Sequence, residues 1–260
     1  MLADIRKLPD YRELVINFSL REIKAKYKQA LLGVAWAIIQ PIVLMAMMTA
    51  VFSYFARIPS DGIPYPLFLF AALLPWQFFA GTLSRGTGAL TNQSGLITKI
   101  YFPRESLVLA SLSAACVDFA IATLVYVALL VYYGVAPTLT WLWVVPTLAI
   151  QIMLSLGFML FLAPMNAIYR DVGQAMPLVI QVWMYATPIM YPASLVPAGV
   201  RPYYMLNPMA TLIESYRSSM LRNEMPNLLL VGWAALLGAL LMIAGYAYFK
   251  RVEKSVADVA

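Results

Sequence analysis

Long stretches without a charged side chain constrain this chain more than any motif in it. Residues 29–56, 62–84, 172–200 and 225–249 contain no Asp, Glu, Lys or Arg, and Asp118 alone interrupts residues 106–169. A helix needs about 20 mostly apolar residues to cross the hydrocarbon of a bilayer. Lipid offers the backbone no water, so runs of this kind form helices that satisfy their own N–H and C=O groups. The 106–169 stretch is too long for one crossing, and Tyr133-Gly134-Val135-Ala136-Pro137 punctuates it as a turn. The pattern predicts an all-α integral membrane protein, a single domain over residues 1–260. Its six spans are expected near 33–56, 67–89, 105–132, 139–165, 174–191 and 228–249. The first apolar run is full length and follows a charged segment, which does not fit a signal peptide.

Composition narrows the function. The chain is 62% hydrophobic and 12% charged, against roughly 45–50% and 25% for soluble domains. That excludes a soluble globular protein, a disordered chain and a nucleic-acid-binding domain. The net charge of +6 reads instead as topology. With both termini inside, only Arg57, Arg201, Arg217 and Arg222 of the 18 Lys and Arg residues lie outside, which favours cytoplasmic termini. The chain has no His, so imidazole bases, His-ligated metals and Ser-His or Cys-His nucleophiles are absent. Cys116 is the single cysteine and forms no internal disulfide. No G-x-x-x-x-G-K-[ST] phosphate loop is present, so ATP hydrolysis by that route belongs to another chain. The reading is a conduit without a motor, not an enzyme, and with no cofactor or metal of its own.

Several segments are not simple spans. Ile16, Leu20, Ile23, Tyr27 and Leu31 recur at the spacing of one helix face, with Arg21, Lys24, Lys26 and Lys28 mostly off it. Leu14 and Phe18 point elsewhere on this reading. The pattern fits an amphipathic helix at the membrane interface, its basic residues meeting anionic headgroups. It serves either as a topology-setting flank or also as a docking surface. The loop 91–105 carries Leu96, Ile97, Ile100, Tyr101 and Phe102, too apolar for solvent alone. Either something packs on it or it folds back on the bilayer. Between the last two spans, Pro188, Pro192, Pro197, Pro202, Pro208 and Pro226 forbid a continuous helix. Asn207-Pro208 reads as a helix cap and first turn, with Glu214 and Arg217 spaced to pair. This outer segment either re-enters the membrane and lines an exit or lies on the bilayer as a plain loop. The short inner turn 166–172 looks ordinary.

Asp118 is the one carboxylate placed inside the membrane, where charge is costly. It pairs with a basic group such as Arg85, is protonated, or faces water. Trp36, Tyr191, Tyr203, Tyr204 and Tyr216 are candidates for a channel or exit, because aromatic faces stack on sugar rings. An interfacial aromatic belt explains such residues as well.

Residues 20–41 (LREIKAKYKQALLGVAWAIIQP), Ile100-Tyr101-Phe102-Pro103-Arg104-Glu105 and the Asn207-Pro208 segment resemble type 2 ABC transporter permeases that export surface polysaccharides. The resemblance runs along nearly the whole chain. It is nearest to the O-antigen export permeases, with capsule and teichoic acid permeases close. It implies six spans and a homodimer joined to two copies of an ATP-binding cassette ATPase, which binds ATP and Mg. It implies that the interfacial helix, about 11–32, contacts that ATPase. It also implies that the 92–105 loop acts as a coupling helix through Asn92, Leu96, Ile97, Ile100, Tyr101, Arg104 and Glu105. Short re-entrant helices, about 192–223, shape the exit. The implied substrate is a glycan on undecaprenyl diphosphate, moved across the bacterial inner membrane. Arg21, Lys24, Lys26 and Lys28, with Tyr27 beside them, are then candidates to steer the diphosphate at the point of uptake. Rival readings are a drug or lipid permease of the same architecture, an ion-coupled secondary transporter and a membrane enzyme. The lone Asp118 and the lack of a repeat disfavour the ion-coupled reading.

Overall fold

The computed structural model describes residues 11–28, 33, 35–97 and 102–259, and every regular element among them is helical. Helix α1 spans Arg12–Lys28. Helix α2, Ala35–Thr49, continues as a π-helical turn to Phe55. Then come α3 (Tyr65–Gly88), the single turn α4 (Ser94–Ile97) and α5 (Glu105–Tyr132). Helices α6 (Val144–Ile168) and α7 (Asp171–Tyr185) follow. The outer segment holds α8 (Arg201–Tyr204) and α9 (Pro208–Arg217), and α10 (Leu228–Val259) closes the chain.

Five helices are long and apolar enough to cross a membrane: Ala35–Phe55, Tyr65–Gly88, Glu105–Tyr132, Leu139–Ile168 and Leu228–Glu253. They fall on five of the six expected runs. The run near 174–191 behaves differently. It becomes α7, 15 residues long, about 22 Å at the helical rise against about 30 Å of hydrocarbon. Helix stops at Tyr185, and the chain continues irregularly through the buried Thr187, Pro188, Ile189 and Met190. Pro188 disfavours helix in the residue before it and cannot donate to the ladder. A count of six full helical spans is therefore not established.

Helix α3 is the hub. Leu67, Phe68, Leu69, Phe70, Leu73 and Trp76 are all buried, and α2, α5, α6, α7 and α9 pack around it. It is apolar on every side, as a helix surrounded by other helices must be. Aromatic rings lock α3 to its neighbours: Phe79, Phe158 and Trp183 meet edge to face, their centroids 5.1 to 5.9 Å apart. Helices α6 and α10 approach more closely still. A Cβ added at Gly157 would lie 2.8 Å from the main chain of Leu241 and Met242, and one at Gly245 would lie 2.6 Å from the Gly157 carbonyl oxygen. Small residues permit this approach, and dispersion contacts replace the hydrophobic drive that lipid does not supply.

Several buried polar side chains are answered by other groups of the chain. Tyr216 donates to Gln151 Oε1 at 2.9 Å, and Gln151 Nε2 donates to the Pro75 carbonyl at 2.6 Å. Asn207 caps α9 as the sequence predicts, its Oδ1 accepting from the Met209 N–H at 3.1 Å. That same oxygen accepts from Trp183 Nε1 at 3.0 Å, and Asn207 Nδ2 donates to the Ala186 carbonyl and Thr187 Oγ1. The spacing of Glu214 and Arg217 misleads. Arg222 takes Glu214 instead. Arg217 is fully buried, with its guanidinium 3.6 Å from the centre of the Phe68 ring. It donates to the Phe68, Pro188 and Ile189 carbonyls. The two side chains leave α9 in different directions, Glu214 towards Arg222 and Arg217 into the core.

Two substitutions test this packing. Gly157→Ala forces two main chains apart and is expected to cost about 1–3 kcal/mol, read as a lower melting temperature in detergent. Arg217→Lys keeps the charge but loses the planar fork, and should melt well below an exposed control, Glu224→Gln. Parent-like melting in either variant would contradict the geometry.

Candidate functional site: a charged cluster at the basic end of the bundle

Helix α1 lies lengthwise on α5. The Phe18 and Phe102 rings meet with centroids 5.5 Å apart. Ser111 donates to Glu22 at 3.1 Å, and Lys26 Nζ donates to Asp118 Oδ2 at 2.7 Å. The partners ascend along both helices, so α1 runs in the same direction as α5. The face that packs is only partly the expected one, with Ile23 and Tyr27 half-buried and Tyr27 bonded to Asp118. Ile16 and Leu20 are exposed, whereas Leu14 and Phe18 join the apolar cluster around Phe102 and Leu107. Burial pushes the Glu22 carboxyl above the usual carboxylate range despite the Ser111 hydrogen bond. Arg21 and Lys24 are exposed.

Asp118 gathers the charges. Besides Lys26, Arg85 Nη2 donates to its Oδ2 and the Tyr27 hydroxyl to its Oδ1. Of the alternatives open for Asp118, pairing with a basic group is the one realised, and with two. Burial, then the bond to Asp118, pushes the Tyr27 phenol upward, so it remains a neutral donor. One carboxylate bonds two cations, and the Glu22 carboxyl lies within electrostatic reach of Arg85 as well. Arg85 Nη1 is buried and has no hydrogen-bond partner. Side-chain exposures of 43% for Lys26, 30% for Arg85 and 22% for Asp118 place the cluster on a rim. It helps line a cavity of about 320 Å³ to which α2, α3, α5 and Met184 of α7 contribute.

The 91–105 segment is stitched to its surroundings. Asn92 covers Gly88, where a Cβ would come 2.7 Å from Nδ2, and is itself exposed. Leu96 packs on the apolar cluster that also receives Leu14 and Phe18. Arg104 donates to the Glu253 carbonyl, and Lys250 bridges Glu105 at 2.9 Å and Glu253 at 3.1 Å. The segment and the start of α5 are thereby tied to the end of α10. Ile100 and Tyr101 lie outside the described residues, as do the side chains of Ile97 and Lys28.

Sequence reasoning missed Asn166. Its Nδ2 donates to the Thr87 carbonyl at 2.9 Å and to Thr91 Oγ1 at 3.2 Å, while its Oδ1 accepts from the Gly173 N–H. It clamps the α6–α7 turn to the 91–93 turn. An Asn ending an apolar helix was the available signal.

The aromatic exit candidates do not form one site within the chain. Tyr191 and Tyr204 share a hydrogen bond of 2.7 Å between their hydroxyls, and Tyr203 is exposed. Tyr216 lies in the core on Gln151. Trp36 is half exposed at the start of α2, whose Ala37 and Gln40 line the cavity beside Lys26.

Residues 14–221 match the family described as ABC-2 type transporter. The chain belongs to the ABC-2 type transporter family. It is similar over its length to the O-antigen export system permease protein RfbA of Klebsiella pneumoniae, at 28% identity over 95% of each chain. RfbA of Myxococcus xanthus is 29% identical over 98% of each chain. The polysialic acid transport protein KpsM of Escherichia coli is 22% identical over 91% of this chain and 92% of its own. This ABC-2 chain is thus a multi-pass membrane transport subunit rather than an enzyme, and an ABC transporter has an ATPase partner.

If Asp118 holds α1 in place, Asp118→Asn should free its inner end. The expected cost is about 1–3 kcal/mol for bonds to charged groups on a partly exposed rim. Limited trypsin cleavage at Lys24 and Lys26 should then run several-fold faster than in a Glu13→Gln control. Equal cleavage rates would refute the anchoring role.

Proposed function

We propose that this ABC-2 permease exports a lipid-linked surface polysaccharide of O-antigen type from cytoplasm to periplasm. One observation carries this reading: likeness to three O-antigen export permeases, at 26 to 29% identity over 95 to 98% of the chain. The basic end faces the cytoplasm, with both termini there, and the membrane is a bacterial inner membrane. The Lys and Arg distribution supports that orientation. The working unit is a homodimer with two ATPase copies, which hold ATP and Mg.

In this reading the ATPase docks on α1 and on the segment bearing Asn92, Leu96, Ile97, Ile100, Tyr101, Arg104 and Glu105. A push on the described residues there reaches the spans through side chains. Phe18 and Lys26 carry it from α1 to α5, Lys250 carries it to α10, and Asn166 carries it to α6. ATP supplies the difference in free energy between two arrangements of these spans, which the permease alone does not have. The glycan then passes along the dimer interface, where Trp36, Tyr191, Tyr203 and Tyr204 offer aromatic faces.

Depletion of the protein in its host tests the reading. Undecaprenyl-linked polymer is expected to accumulate on the cytoplasmic face, and surface glycan to fall. Unchanged surface glycan without accumulation would overturn it in favour of a drug or lipid permease.

A further inference from the structure

We propose that Asn166 is a positioning residue for transport: it makes α7 follow the 91–97 segment, so that a displacement of that segment by the ATPase becomes a tilt of α7. The origin of the displacement rests on the docking reading above; the clamp itself rests on geometry. Helix α3 ends at Gly88 and α7 begins at Asp171. The last carbonyls of one helix and the first N–H groups of another have no partner within their own helix. A single amide supplies both complements. Asn166 Nδ2 donates to the Thr87 carbonyl in the last turn of α3 and to Thr91 Oγ1. Its Oδ1 accepts from the Gly173 N–H, in the first turn of α7, at 2.7 Å. The residue is only 7% exposed, so water does not compete for these bonds. A Cβ at Gly173 would lie 2.6 Å from Asn166 Oδ1, so it is the bare glycine that admits the amide.

What the clamp holds is a helix with little buried surface. Among the described residues of α7 only Met176 is buried, whereas Leu178, Val179, Val182 and Tyr185 are exposed. At the opposite end, Asn207 Nδ2 donates to the Ala186 carbonyl and to Thr187 Oγ1, and the Trp183 ring meets Phe79 and Phe158. Helix α7 therefore hangs between two asparagine side chains. The outer one belongs to the cap of α9, and the inner one grips the end of α3 and the turn after it. A helix is stiff over this length, so a shift at its inner end tilts the whole of it instead of being absorbed. Beside the clamp a cavity of about 350 Å³ opens between the two turns. Thr91 and Ser94 line one side of it, and Ala167, Arg170 and Gln174 the other. That space lets the turns slide against each other once the amide is removed.

The test uses the full chain with its ATPase in nanodiscs. Spin labels at Leu178→Cys on α7 and Ile243→Cys on α10, both exposed positions, report the distance between the two helices in a Cys116→Ser background. A non-hydrolysable ATP analogue is expected to shift that distance in the parent. Asn166→Leu removes the amide, and Gly173→Ala pushes it off α7, since the added Cβ meets only the Asn166 side chain. Each variant should abolish the shift while the complex stays assembled and ATP hydrolysis continues at the parent rate. Surface glycan in the host should fall about fivefold in either, within the range for residues that carry coupling. A merely structural Asn166 would instead lower melting temperature and hydrolysis together and leave the shift in the complex that survives. If Asn166→Leu fails to fold, Gly173→Ala decides, because a side chain yields there and not the main chain. A shift retained in either folded variant, or no shift in the parent, would overturn the proposal. Should depletion abolish surface glycan while the variants keep the shift, the clamp is wrong and the export reading stands. Should the variants lose the shift while depletion leaves glycan untouched, the clamp stands and serves another cargo.

Discussion

A polar group buried among membrane-spanning helices must find its partners in the protein, and that constraint organises the end of this molecule around Arg217. Arg217 is its extreme case: a guanidinium buried completely, with no carboxylate bonded to it. What holds it is backbone. The Pro188 and Ile189 carbonyls are open to it because the chain there has left the helix, and the Phe68 carbonyl and ring complete the seat. The irregular segment needs a donor and the buried cation needs acceptors, and each satisfies the other. Asn207 serves the same end of α7 with its amide, and Gln151 links Tyr216 to Pro75 in the core.

The basic end is built on the reverse arrangement, one carboxylate with two cations at a half-exposed rim. Here charge is not walled in. It joins α1, α3 and α5 beside a cavity whose lining mixes apolar side chains with Gln40 and Gln77. The same layer contains the ties from Arg104, Glu105 and Lys250 to the end of α10.

Much of this was legible in the chain itself. Five spans follow from charge-free runs, because only helices bury backbone in lipid, and the Asn207-Pro208 cap follows from local chemistry. Asp118 stood out as the one carboxylate in an apolar run, with Arg85 as a possible partner. Three readings depended on neighbours that periodicity does not see. The Ile16–Leu20 stripe lost to the Leu14–Phe18 face because Phe102 and α5 offered a ring to stack on. Glu214 went to Arg222, not to the Arg217 one turn away. Residues 174–191 have a span's apolarity but not a span's helix, since Pro188 stops α7 at Tyr185.

The sequence by itself determined the solvent of this protein, its all-helical class, most of its spans and its family. Those properties are sums over many residues, and transfer of apolar side chains and backbone into lipid is decided locally. Only the tertiary structure decided which charges meet, which face of α1 is buried and where a cavity is left. Lys26 and Asp118 are 92 positions apart, and Arg217 and Phe68 are 149. Pairings of that kind are set by how the helices pack around α3, and no local spacing encodes them.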